Sequence, residues 1–183
     1  MLKITIPAVE MFDERTQSFI STKEQTLQLE HSLVSLSKWE SKWCKAFLKD
    51  DKKSEKTTEE IIDYIKCMTI TQNVDDEVYN RLTPSNIKEI NEYISAPMTA
   101  TTFYEEQQQG GKKETVTSEL IYYWMISFNI PMECQKWHLN KLLTLIRVCS
   151  IKNAPPKKIS KRDAASRYAS LNAARRSKLN SKG

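Results

Sequence analysis

The chain has 183 residues, 39% of them hydrophobic and 28% charged, with three glycines and six prolines. That length supports one domain with its own core plus an appendage but not two full domains, and so little glycine and proline excludes collagenous and loop-rich sandwich chains in favour of helix. The net charge of +5 hides a division: residues 152–183 hold ten of the 28 basic residues and one of the 23 acidic ones, a net of +9, which leaves 1–151 at −4.

The start, MLKITIPAVEMFDE, lacks the apolar stretch of a secretory signal. The longest nearly unbroken apolar run, LIYYWMISFNI at 120–130, is about half of the roughly 20 residues a membrane-spanning helix needs. A soluble intracellular protein with no membrane partner is expected. Cys44, Cys67, Cys134 and Cys149 lie far apart in apolar helical contexts, as reduced, buried thiols do.

LKITI at 2–6 alternates, a second alternating piece lies within 18–32, and FDERTQ between them reads as a turn, which predicts a small N-terminal β-hairpin. From Leu33 the period changes, and Leu36, Trp39 and Trp43 fall on one face of a helix over 33–48. KDDKKSEK at 49–56 is a charged break. Thr57 with Glu60 forms a capping-box pattern for a helix over 57–69. A short helix follows at 75–82, then one over 84–95 with Thr83 as cap and Pro84 in the first position, where its missing N–H costs nothing.

SAPMTATTF at 95–103 reads as extended and YEEQQQGGKKE at 104–114 as a polar loop. A helix over 117–129, capped by Thr117, is apolar nearly all round, the pattern of a central core helix or an interface. After Pro131 a last core helix is predicted over 133–151. KNAPPKK then makes a stiff linker, since consecutive prolines prefer extended structure. The remaining tail has good helix formers but only a thin apolar stripe, Ala164, Tyr168 and Leu171, so it is expected to become ordered on a partner or in an assembly. The expected fold is mainly α, with a compact helical domain and N-terminal β-hairpin at 1–151 and a basic C-terminal helical arm at 152–183.

On one continuous helix Cys134 and His138 share a face, and Cys149 falls within about 60° of Cys134. A structural zinc site wants four N or S ligands, commonly with a Cys–x₂–Cys pair, and none is present. Leu142, Leu145 and Ile146 occupy the same arc, with Lys136, Asn140 and Arg147 opposite, so His138 and the cysteines read as core-facing. No metal or other cofactor is expected. With His31 and His138 the only histidines, and no nucleophile-elbow, phosphate-loop or dinucleotide pattern, neither are catalytic residues. The acidic groups Glu59, Glu60, Asp75, Asp76 and Glu77 sit at helix starts, where carboxylates favour the positive end of the dipole.

Trp39, Trp43, Trp124 and Trp137, with Tyr122 and Tyr123, stand at helical spacing among aliphatics. They read as core, with part of the set, Trp39, Trp43, Tyr122 and Tyr123, available for a protein interface. The tail residues Lys157, Lys158, Lys161, Arg162, Arg167, Tyr168, Leu171, Arg175 and Arg176 form an interaction arm. It has three readings: neutralising nucleic-acid phosphates, docking on an acidic protein surface, or keeping a flexible tail soluble.

LEHSLVSLSKWESKW with AFL at 46–48, PMTATTF at 97–103, SELIYYWMISFNIPMECQKWHLNKLLTLIRV at 118–148 and the ending SLNAARRSKLNSKG together resemble tail assembly proteins, or tail assembly chaperones, of tailed bacteriophages. The resemblance covers most of the chain and brings no catalytic residues. It implies a non-enzymatic morphogenesis protein whose partners are other phage structural proteins, such as tape-measure, tail-tube or baseplate components, with a homo-oligomer as a further expectation. The implied location is the host cytoplasm during assembly or a tail, baseplate or neck position in the virion. The alternative is a head or packaging protein using the arm on nucleic acid.

Overall fold

A computed structural model describes residues 1–13, 18–49, 56–103, 115–155 and 161–179, leaving aside the side chains of 11–21 and 161–164. The chain divides into two compact units, Met1–Ser150 and Ile151–Gly183. The fold is mainly helical with an N-terminal antiparallel ribbon, in the order β1 (Leu2–Ile6), β2 (Val9–Asp13), β3 (Ser18–Thr22), β4 (Gln25–Leu29), α1 (Leu33–Trp43), α2 (Thr58–Met68), α3 (Asp76–Asn80), α4 (Pro84–Ser95), α5 (Ser118–Ser127), a 3-10 helix (Met132–Lys136), α6 (Leu139–Asn153) and α7 (Lys161–Leu179).

The predicted hairpin is present but is longer than its two sequence pieces. β1 pairs with β4, with Ile4 opposite Leu27, and β2 pairs with β3, with Val9 opposite Thr22. Phe12 and Asp13, expected in the turn, end β2; residues 14–17 lie outside the described set. The ribbon is interrupted at Pro7, which has no N–H to give a ladder. There the Thr22 hydroxyl donates to Val9 O (2.9 Å), and Arg81 Nη1 donates to Thr22 Oγ1 (2.7 Å). Alternation buries Ile4, Ile6, Leu27 and Leu29 on one face. Both edges of this pair are occupied: Asn86 Nδ2 donates to Thr5 O (3.2 Å) on β1, and Ile70 N donates to Gln28 O (2.8 Å) on β4.

Local sequence sets the helix starts. Thr57 and Glu60 close the predicted capping box, Thr83 does the same with Asn86 ahead of Pro84, and Ser32 with Ser35 caps α1. α1 ends at Cys44 in the left-handed region (φ 51), its N–H bonded to Glu40 O, so the helix stops short of the expected residue 48.

Two apolar clusters share α1 as a wall. One joins the β1/β4 face to Trp39, Tyr64, Ile65, Met68, Tyr79 and Ile90. The other joins Leu33 and Leu36 to Ile121, Met125, Leu139, Leu142 and Ile146.

The largest correction concerns 133–151, which is not one helix. The 3-10 turn ends at Lys136, Trp137 is extended, and α6 starts afresh at Leu139. The cause is tertiary: Leu139 N–H bonds to His31 O (2.8 Å), and His138 bridges Ser32, which pulls the backbone out of the helical path. At its other end α6 runs through Lys152 and Asn153, the start of the expected linker; 156–160, with Lys157 and Lys158, lie outside the described residues. So do most of the charged break (50–55) and the polar loop (104–114).

Candidate functional site

The break at Trp137 separates Cys134 from His138 and Cys149. Cys134 is buried in the second cluster, Cys149 and Cys67 are half-buried, and Cys44 is exposed. Burial pushes the Cys67 thiol up, opposite to what a nucleophile needs. Among the described residues no group of three or more His, Cys, Asp or Glu could hold a metal ion.

His138 occupies the capping position of α6. Its Nδ1 accepts Asn140 N–H (3.3 Å), which places the ring proton on Nε2, 2.9 Å from Tyr93 O. The His31 ring lies edge-on at 5.0 Å and the Tyr93 ring at 4.9 Å, while Tyr64 Oη is 2.6 Å from His31 Nδ1. Asn140 Nδ2 adds bonds to Ile94 O and Ala96 O (2.9 and 2.8 Å). Desolvation, then the neighbouring His138, lowers the His31 pKa to about 4, and desolvation lowers that of His138. Both imidazoles are therefore neutral at pH 7 and act as joints between β4, α2, α4 and α6.

Asp75, Asp76, Glu60 and Asp63 have structural partners. Asp75 caps α3, Asp76 pairs with Lys66 at 2.6 Å, and Glu60 combines its capping role with an ion pair to Lys45. The Lys45 hydrogen bond, then that from Thr57 N–H, holds the Glu60 carboxyl below the usual range. Asp63 pairs with Lys42 and accepts the Trp43 indole N–H (2.9 Å). Sequence reasoning missed Glu40: this buried carboxylate accepts Phe47 N–H (2.9 Å) and Ser118 N–H (2.7 Å), tying the end of α1 to the start of α5. No local pattern announces it, because its partners are backbone groups, one of them 78 positions away.

Of the four aromatics expected at an interface, Trp39 is corrected to core: it is 1% exposed, and its indole N–H bonds to Glu60 O (2.8 Å). Trp43 is half-buried and stacks on it. Tyr122 is half-buried with its hydroxyl on Gln135 (2.9 Å), and Tyr123 is 63% exposed.

Tyr123 belongs to an unusual helix. α5 buries only Ser118, Ile121 and Met125, yet is apolar around most of its circumference. Ile126, one turn from Tyr123, is 66% exposed, and Leu120, Trp124 and Phe128 are half-buried. Beside it α6 completes a groove of about 300 Å³ lined by Trp124, Phe128, Leu143, Ile146, Arg147 and Ser150. The Arg147 guanidinium lies 4.2 Å from the Phe103 ring centre at this end of α6. Glu119, in the first turn, is held below the usual carboxyl range by hydrogen bonds from its own N–H and the Thr117 hydroxyl.

A larger concavity, about 720 Å³, lies between Thr22–Gln25 and α3. It mixes Lys23 and Arg81 with Glu24, Asp75 and Glu77, and holds no nucleophile with an adjacent base.

In the second unit α7 is a helix of 19 residues whose described side chains, from Ala165 to Leu179, are all exposed; Arg167, Tyr168, Leu171, Arg175 and Arg176 are among them. Lys161 and Arg162 stand on its first turn. No helix among the described residues is long and apolar enough to cross a membrane. No protein-family model, curated protein or solved structure matches this chain.

Proposed function

We propose that the chain is a non-enzymatic bacteriophage morphogenesis protein that acts in tail assembly through protein–protein contacts, with α5 as its contact helix. The observation that carries this reading is the mismatch on α5 between composition and burial. A helix that is apolar all round is ordinarily covered all round; here the side bearing Tyr123 and Ile126 faces outward. Aromatic side chains flanked by a concave apolar groove are what protein interfaces use as anchors. The resemblance of the segments at 29–43, 46–48, 97–103, 118–148 and 170–183 to tail assembly proteins supplies the setting, with tape-measure, tail-tube or baseplate components as the partners.

The hydrogen bonds that join His31 to Tyr64 and His138 to Tyr93 O, and the caps and ion pairs of Glu60, Asp63, Asp75 and Asp76, fit this reading. The test is co-purification with tail components from infected cells. The double variant Tyr123→Asp/Ile126→Asp is expected to lose those partners while keeping its thermal unfolding temperature, since both positions are exposed. Retention of every partner by the folded double variant would refute the role of α5. Mass spectrometry of purified virions separates the two forms of the proposal: presence identifies a structural component and absence a transient chaperone.

A further inference from the structure

The arm poses a problem that the contact helix does not solve. A helix that docks into a protein groove segregates apolar anchors from charges, and one that lies on a membrane does so even more strongly. α7 does neither. At about 100° per residue, Arg167, Leu171, Arg175, Lys178 and Tyr168 all project within one arc of about 100°, so cations and apolar groups share a face. Ser166, Ser170, Ser177 and Ala173 gather on the opposite side, where the Ser170 hydroxyl donates to Arg167 O (2.9 Å) within its own helix. Whatever receives Tyr168 and Leu171 must therefore also receive three cations.

We propose that this face of α7 binds the sugar-phosphate backbone of nucleic acid without regard to sequence. Phosphates answer the cations, and the sugars and base edges between them offer the apolar contact that Tyr168 and Leu171 need. From Arg167 to Lys178 the helix rises about 16 Å. A duplex presents roughly nine phosphate charges over that length, ample for three contacts. The face carries no carboxylate among the described side chains; the one acid of the arm, Asp163, lies on the first turn on the serine side of the wheel.

The test uses the full chain and a random-sequence 30-base-pair DNA duplex, with fluorescence anisotropy between 50 and 200 mM salt. Affinity is expected to fall linearly on a log–log plot, the three face cations contributing about 3 to the slope, which is roughly a 40-fold loss over that range. The triple variant Arg167→Gln/Arg175→Gln/Lys178→Gln removes that contribution. Tyr168→Ala weakens binding while leaving the slope unchanged, because its contact releases no counterion.

The sharpest comparison is Arg175→Gln against Arg176→Gln. These neighbours have the same chemistry, yet Arg176 points about 80° beyond the edge of the arc. Arg175→Gln is expected to cost more affinity and more slope. Equal effects would overturn the proposal, since charge alone would then explain binding. So would no binding at 50 mM salt, or competition by polyglutamate or phosphatidylserine vesicles as effective as DNA at matched charge, which would assign the arm to an acidic protein or a membrane. Tyr123→Asp/Ile126→Asp leaves DNA binding unchanged, so this proposal and the α5 reading fail separately.

Discussion

Acidification should loosen the joint between His31 and His138 before the carboxylates respond, and the size of the effect follows from burial. His31 is 2% exposed, and its pKa is lowered from 6.5 to about 4. As pH falls below 6.5 the unfolded chain takes up a proton that the folded chain refuses until about pH 4. The stability contributed by neutral His31 is thus complete above 6.5 and lost through the window below it. At about 1.4 kcal/mol per pH unit, the loss is roughly 2 kcal/mol by pH 5 and about 3 kcal/mol by pH 4. His138, shifted in the same direction, adds to it. Urea denaturation at pH 7, 6 and 5 measures this directly, and His31→Gln should flatten the dependence while lowering stability at pH 7. The chain has two histidines, so a proton NMR titration gives two readable imidazole curves. A His31 midpoint at or above 6, or an unchanged pH dependence in the variant, would refute the reasoning.

Glu40→Gln should destabilise by about 1–3 kcal/mol, because Phe47 N–H and Ser118 N–H bond to different carboxylate oxygens and one of them would face the donor NH2 of the amide instead; chemical denaturation reads the change. Leu36→Ala, at a site with no exposure in the second cluster, should cost about 2–5 kcal/mol by the same assay, with little change in the denaturant slope. Thr83→Ala should cost about 1 kcal/mol, since it removes the hydroxyl that caps α4; an effect below a few tenths would indicate that Pro84 alone fixes this helix start. Ser118→Ala should change stability by less than about 1 kcal/mol, because its buried hydroxyl has no partner at good hydrogen-bond geometry among the described residues.

What was legible in the sequence was what local chemistry decides. α4 runs over 84–95 as expected because Thr83, Pro84 and Asn86 settle its start within three residues. The alternation of LKITI identifies the buried face of β1 for the same reason. The break at Trp137 was hidden because its cause is the carbonyl of His31, more than a hundred positions earlier. Periodicity placed Cys134, His138 and Cys149 on one wheel, and the wheel has no meaning across a chain that leaves the helix. Trp39 and Trp43 look alike in sequence and both bond to α2, at Glu60 O and Asp63, yet one is core and the other half-buried. The α5 mismatch was half visible: composition marked 117–129 as core or interface, and only packing reveals which side stays uncovered.

Because α1 is a common wall, the order in which the protein is synthesised has a cost. Every member of the first apolar cluster lies at or before Ile94, so the ribbon, α2, α3 and α4 can collapse around Trp39 while the ribosome is still working. Leu33 and Leu36 belong to the other side of that wall, and their cover is encoded from Val116 to Cys149. At about 5–20 residues per second, the nascent chain carries an open leucine face for roughly 3–10 s after its first half is complete. That interval, rather than the finished fold, is where a chaperone or an untimely neighbour would meet this protein.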